Sequence, residues 1–173
     1  SRFIMKKIFS LCLVFIVLGC KFYSFTGASI PENAETVQVN LFVNDAANSI
    51  GSTFDPGIDR DFTNAMQEVL INQTNLELTR ANGDLIYGGE IIEYRVTPTT
   101  ATAQQTAAQN RLTVTINVRY INTNNEEDNF EKRFSHFYDF PDTAQLQSVK
   151  SNAHDEIFER ITQDVFNQSL AKW

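Results

Sequence analysis

Arg111-Leu-Thr-Val-Thr-Ile-Asn-Val-Arg-Tyr-Ile121 alternates without a break. Leu112, Val114, Ile116, Val118 and Tyr120 point one way; Arg111, Thr113, Thr115, Asn117 and Arg119 point the other. Side chains on a strand repeat every second residue, so this is a strand with one apolar and one polar face. Such a face belongs to an antiparallel sheet covered on a single side. The neighbouring segments extend the pattern. Phe130 to Tyr138 reads as the next strand, with Phe134, His136 and Tyr138 on one side and Pro141 ending it. Upstream, Leu85 to Thr97 reads as another strand, and Gly88-Gly89 within it suggests a bulge or bend. Leu76 to Ala81 precedes it, and Asn82-Gly83 between the two carries the signature of a tight hairpin turn. Thr99 to Asn110 is a low-complexity segment dominated by Thr, Ala and Gln, expected to be a long exposed loop.

Two helical patterns supply the cover. Ile58, Phe62, Ala65, Met66, Val69 and Leu70 share one helical face, with Asp55-Pro56 as cap and first turn and an end near Thr74. From Ser148 onward, Val149, Ala153, Ile157, Ile161 and Val165 recur every four residues. Phe166, Leu170 and Trp173 form a second, shorter stripe. Either these last turns are buried more deeply, or they meet another chain. Before the first helix, Thr36 to Asn44 alternates, with Val37, Val39, Leu41 and Val43 facing one way. The order strand, helix, strands, helix predicts an α+β fold: a two-layer sandwich of a mostly antiparallel sheet with two helices on one face.

The N-terminus reads differently. Met5-Lys6-Lys7 is followed by an apolar run from Ile8 to Leu18, then Gly19-Cys20. A basic start and an apolar run too short to span a bilayer describe an export signal. Its ending resembles the lipobox of bacterial lipoproteins, in which the cysteine becomes the lipidated N-terminus. The expected organisation is a signal over residues 1–19, a lipidated tether over 20–34 and one domain over 35–173. The tether contains Phe22, Tyr23 and Phe25, so it is expected to lie against the domain or a partner. Cleavage removes three of the 14 basic residues and none of the 21 acidic ones, so the net charge of −7 becomes −10. That balance disfavours nucleic acid and broad adhesion to anionic lipid. Membrane attachment is then left to the acyl chains on Cys20. Cys12 lies in the signal, so the domain keeps neither a thiol nor a disulfide.

Motifs for chemistry are sparse. His136 and His154 each lack a second histidine at zinc spacing, and the sequence contains neither a GxSxG elbow nor a P-loop. No cofactor, metal or catalytic residue is called for. Asn72-Gln73-Thr74 is a chance sequon in a bacterial setting. Asp142-Thr143-Ala144 looks like an O-glycosylation acceptor of some Gram-negative envelope proteins.

Cys20 followed by Tyr23-Ser-Phe-Thr-Gly-Ala-Ser-Ile30, then Thr106 to Tyr120, Phe130-Glu131, Phe134-Ser135 and a terminal Trp173 after a long helix together resemble the LptE family of lipopolysaccharide-assembly lipoproteins. The resemblance implies a non-enzymatic partner, or plug, of the outer-membrane β-barrel LptD. Such a partner assists barrel assembly and insertion of lipopolysaccharide into the outer leaflet. It also implies anchorage in the periplasmic leaflet of the outer membrane. Lys21 fits this, since it stands where many lipoproteins retained at the inner membrane carry aspartate. Within this reading the second stripe (Phe166, Leu170, Trp173) is a candidate barrel contact, as is the loop at Thr100 and Gln105. Arg95 and Arg111, flanking the loop, are candidates for lipopolysaccharide phosphate, the alternative being pairing with acids such as Glu93. Two other functions compete: a periplasmic amphiphile-binding lipoprotein acting without a barrel, and a small lipoprotein hydrolase.

Overall fold

Residues 29–99 and 108–171 are described by a computed structural model. The elements run β1 (Thr36–Val39), β2 (Val43–Asn44), α1 (Ile58–Gln73), β3 (Glu77–Thr79), β4 (Leu85–Thr99), β5 (Gln109–Asn122), β6 (Phe130–Pro141) and α2 (Leu146–Leu170). They form one sheet in the order β3-β1-β4-β5-β6, with β2 pairing β4 beyond the end of β1. The long pairs β4–β5 and β5–β6 are antiparallel, while the short strands β1, β2 and β3 run parallel to their neighbours. This is the predicted α+β architecture, with the parallel pairs as an addition. Joining parallel β1 and β3 requires a crossover, and α1 provides it.

Both helices lie on one face. The alternation of β5 holds over its length: Leu112, Val114, Ile116 and Val118 are fully buried and Tyr120 nearly so. Ile58, Phe62, Met66 and Leu70 of α1 meet them from above, as do Ala153, Ile157, Ile161 and Val165 of α2. Complete burial of an aliphatic or aromatic side chain contributes about 1.5–3 kcal/mol, so this shared layer dominates stability.

Four local expectations are corrected. The first concerns Thr36 to Asn44, which is two strands rather than one. The ladder breaks between Val39 and Val43, and the alternation changes phase there. Phe42 is fully buried, its N–H donating to Thr63 Oγ1 at 3.1 Å and its ring meeting Phe62 edge-on at 4.9 Å. Leu41 and Val43 are left 59% and 57% exposed. Secondly, Asn82-Gly83 does not join a hairpin, because β1 lies between β3 and β4. Asn82 does take φ 56°, but the chain crosses β1 at Gln38, where a Cβ on Gly83 would lie 2.7 Å from the Gln38 Cβ. Thirdly, the register shift in β4 falls between Ile91 and Glu93, not at the glycines. Gly89 serves close approach instead: its φ is 151°, and a Cβ there would lie 1.9 Å from the Asn117 carbonyl oxygen. Finally, the residue capping α1 is Gly57 in the left-handed conformation, and Asp55 is used elsewhere.

The N-terminal segment is tied to the domain. Ser29 N–H donates to the Leu170 carbonyl at 2.5 Å, and Ile30 packs against the core. The Asp84 carboxylate receives the Glu35 and Thr36 amides and the Thr36 hydroxyl. These bonds, the side-chain one first, hold its pKa below the ordinary carboxylate value. The chain therefore enters the sheet at the end where β4 begins and β5 finishes. The Thr99–Gln109 pair, where β4 ends and β5 begins, lies at the opposite end.

Candidate functional site

The uncovered face of the sheet is a polar lattice built by the outward positions of three strands. Arg119 reaches Glu90 at 2.6 Å and Glu131 at 3.9 Å. Asn117 Nδ2 donates to Glu131 at 2.6 Å. The Thr115 hydroxyl donates to Glu93 at 2.8 Å and lies 2.9 Å from the Ser135 hydroxyl. Exposed pairs of this kind contribute little to stability individually.

Arg95 and Arg111 sit on this face toward the β4–β5 tip. Arg95 pairs with Glu93 at 2.9 Å and donates to the Ile50 carbonyl at 2.9 Å. Arg111 holds Asp139 through Nε at 2.7 Å and Nη2 at 2.8 Å, and its guanidinium lies 3.6 Å above the Phe137 ring. The Asp139 bonds push the Arg111 pKa up. Each arginine is thus engaged by a carboxylate, the alternative weighed from sequence. A phosphate there has to displace Glu93 or Asp139.

The tip also carries apolar exposure. Val96 faces the helix side of the sheet yet is 39% exposed, although Leu112 opposite it on β5 is fully buried. Beside it, residues 46–54 run along the edge of β4, with Ser49 and Thr53 bonded to the Ile92 and Tyr94 carbonyls. Ile50 and Phe54 of this stretch are exposed. Sequence reasoning missed them, since an apolar residue in a polar loop has no period to announce it.

The helical stripe is corrected. Phe166 is 3% exposed and Leu170 fully buried within the domain's own core, so neither offers an exposed contact. Ser169 explains the second stripe: its hydroxyl meets Tyr87 Oη at 2.8 Å, drawing the last turns onto β4. Burial pushes the Tyr87 pKa up. Trp173, Cys20, Thr100 and Gln105 lie outside the described residues.

A groove of about 750 Å³ runs between the helices, with Asp61 and Glu68 on one side, Asp155 and Glu159 on the other. At its end Lys150 Nζ holds Asp55 Oδ1 at 2.5 Å, while Asp55 Oδ2 is buried without a hydrogen-bond partner among the described residues. His154 lies beneath, its Nε2 3.1 Å from Tyr94 Oη and 3.9 Å from Asp55 Oδ2. Burial holds the His154 pKa below its ordinary value, against the Asp55 charge. Burial, then Asp55, pushes the Tyr94 pKa up. The cluster fastens the 46–57 stretch to α2. The sequence points elsewhere, to Asp55 as a helix cap and to His154 as a histidine without a zinc-spaced partner. Among the described residues, no group of His, Cys, Asp and Glu is arranged to hold a metal, and no helix is long and apolar enough to cross a membrane.

No curated protein matches the sequence. Solved structures do share the fold. A hypothetical protein of Chlamydia trachomatis matches with a TM-score of 0.53 at 9% identity, over 80% of this chain and 99% of its own. A protein of Xanthomonas campestris also gives 0.53 at 9% identity, over 81% and 86%. At such identity the likeness is one of fold. The family model for lipopolysaccharide assembly, LptE, matches residues 34–169, from the segment entering β1 to the last turn of α2. The chain therefore belongs to the LptE family of lipopolysaccharide-assembly proteins.

Proposed function

We propose that this protein is a lipid-anchored, non-enzymatic partner of the outer-membrane barrel LptD. It sits on the periplasmic side of the outer membrane, held by lipid on Cys20, and assists barrel assembly and lipopolysaccharide insertion. The family match over residues 34–169 carries the reading. The form of the domain supports it. The chain enters at one end of the sheet, beside Leu170, and the opposite end presents Ile50, Phe54 and Val96 to a partner. An apolar end on an acidic domain suits docking into another protein better than adhesion to anionic lipid.

The tip, with Thr100 and Gln105 following β4 in sequence, is proposed to face the barrel. Affinity purification of the full-length protein from detergent extracts of its host tests this. A stoichiometric outer-membrane barrel, cross-linked through photo-reactive residues at Ile50, Val96, Thr100 or Gln105, is the expected result. A monomer carrying bound amphiphile supports the barrel-free alternative. Neither barrel nor cross-link, with protein intact and acylated, rejects the reading.

A further inference from the structure

Thr143 is the place where the sequence pattern and the structure converge on something that assembly does not use. Most hydroxyls of the described residues are committed to hydrogen bonds; Thr63, Thr74, Thr162 and Ser169, for example, each bond a carbonyl four residues back. Those of Ser29, Thr97, Thr113, Thr143 and Ser151 have no such bond among the described residues. Thr97 and Thr113 lie in strands and Ser151 in a helix, where the backbone is locked. Thr143 lies in the turn between β6 and α2 and is exposed. The Ala144 amide donates to the Pro141 carbonyl at 3.0 Å, closing that turn under it, and the Asp142 amide donates to Ala108 at 3.3 Å. The side chain is left projecting from a fixed backbone.

Ser29 shares the freedom, but it follows Ala28. Among all ten aspartates of the chain, Asp142 alone precedes a Ser or Thr. The Asp-Thr-Ala acceptor pattern and the free, outward hydroxyl therefore coincide at one residue. A transferase must reach the hydroxyl and grip the residues around it, and a surface turn allows both without local unfolding.

We propose that Thr143 is an O-glycosylation site, modified after export by a glycan carried on a lipid diphosphate. The inference rests on the export reading, because nucleotide sugars are not supplied beyond the inner membrane. In the reaction, Thr143 Oγ1 forms a bond to the anomeric carbon and the bond from that carbon to the diphosphate oxygen breaks. The lipid diphosphate leaves with the electron pair, and the hydroxyl proton passes to a base of the transferase. Nothing is oxidised or reduced. The glycan stands beside Ala108, at the β4–β5 end of the domain.

Mass spectrometry of the protein isolated from its own host tests this. Trypsin releases residues 134–150 as one peptide, and fragmentation that preserves side-chain bonds assigns the mass to Thr143 rather than Ser135 or Ser148. The expected result is a hexose-type mass increment on Thr143. It is lost in Thr143→Ala, retained in Thr143→Ser, and lost in Asp142→Asn although the hydroxyl remains. Circular dichroism of each variant should match the parent, since both side chains are exposed. An unmodified peptide from protein whose N-terminus is shown to be processed overturns the glycan while leaving export intact. A glycan that persists in Thr143→Ala overturns the site. An unmodified peptide from unprocessed protein overturns the proposal together with the export reading.

Discussion

The two halves of the β4–β5 hairpin obey the same alternation and have different fates. In the half nearest the chain entry, Leu85, Tyr87, Ile91, Ile116 and Val118 are fully buried under α1 and α2. In the tip half Tyr94, Leu112 and Val114 stay buried, and cover is lost at the inward Val96, which is 39% exposed. Periodicity reveals which face a residue shares, but cover is decided by elements distant in sequence. The first half is therefore a foundation, and changes there should cost folding. The tip is a free platform, and changes there should alter association while sparing the fold.

Removing residues 166–173 should produce the largest effect. It uncovers the foundation by deleting buried Phe166 and Leu170 and the Ser169 contact to Tyr87. Losing a buried Phe or Leu typically costs about 2–5 kcal/mol, so the pair rivals the roughly 5–15 kcal/mol total of a small domain. Cooperative urea unfolding should disappear. A truncated protein that still unfolds cooperatively would mean these turns are dispensable cover.

Gly89→Ala comes next. Overpacking against the Asn117 carbonyl, added to a backbone that L side chains rarely adopt, should cost about 3 kcal/mol. The urea midpoint reads it, and a shift equal to that of an exposed strand position contradicts the close-approach account. Gly88-Gly89 shows where legibility ends. The pair was visibly special in sequence, yet whether it bends a strand or admits a carbonyl depends on Asn117, 28 positions on. Phe42 teaches the same lesson. A nine-residue alternation read as one strand, and the packing of one ring against Phe62 reset its phase. By contrast, β5 and α2 were legible because each repeats its period several times. The loop residues Ile50 and Phe54 were not, having no period at all.

His154 is buried against Tyr94, and it should make the fold sensitive to pH. Its folded pKa is depressed, so the unfolded chain takes up the proton first as pH falls. The neutral ring's contribution is whole above the ordinary value of about 6.5 and is lost as pH drops from there toward the folded value. Asp55, Asp61 and Asp155 oppose the depression; Lys150 adds to it. The wild-type midpoint should decline between pH 7 and pH 5 more steeply than that of His154→Gln, which cannot take up a proton. Parallel declines would show that burial of this ring does not set the dependence.

The smallest effect on stability, and the sharpest on association, is expected at the tip. Arg95→Ala with Arg111→Ala removes two partly exposed ion pairs, the Arg95 bond to the Ile50 carbonyl and one cation–π contact, together worth about 1–2 kcal/mol. Barrel association should survive, because Ile50, Phe54 and Val96 remain. Lipopolysaccharide capture should fall if the guanidinium groups exchange their carboxylates for phosphate. The ion pairs themselves supply the stricter test. Arg111 is held by both oxygens of Asp139 and cannot grip a phosphate bidentately until they let go. Asp139→Asn weakens that hold without removing the arginine, so capture should rise above wild type. If capture falls or stays level in Asp139→Asn, Arg111 serves only to bind β5 to β6, and the tip is a surface for protein alone.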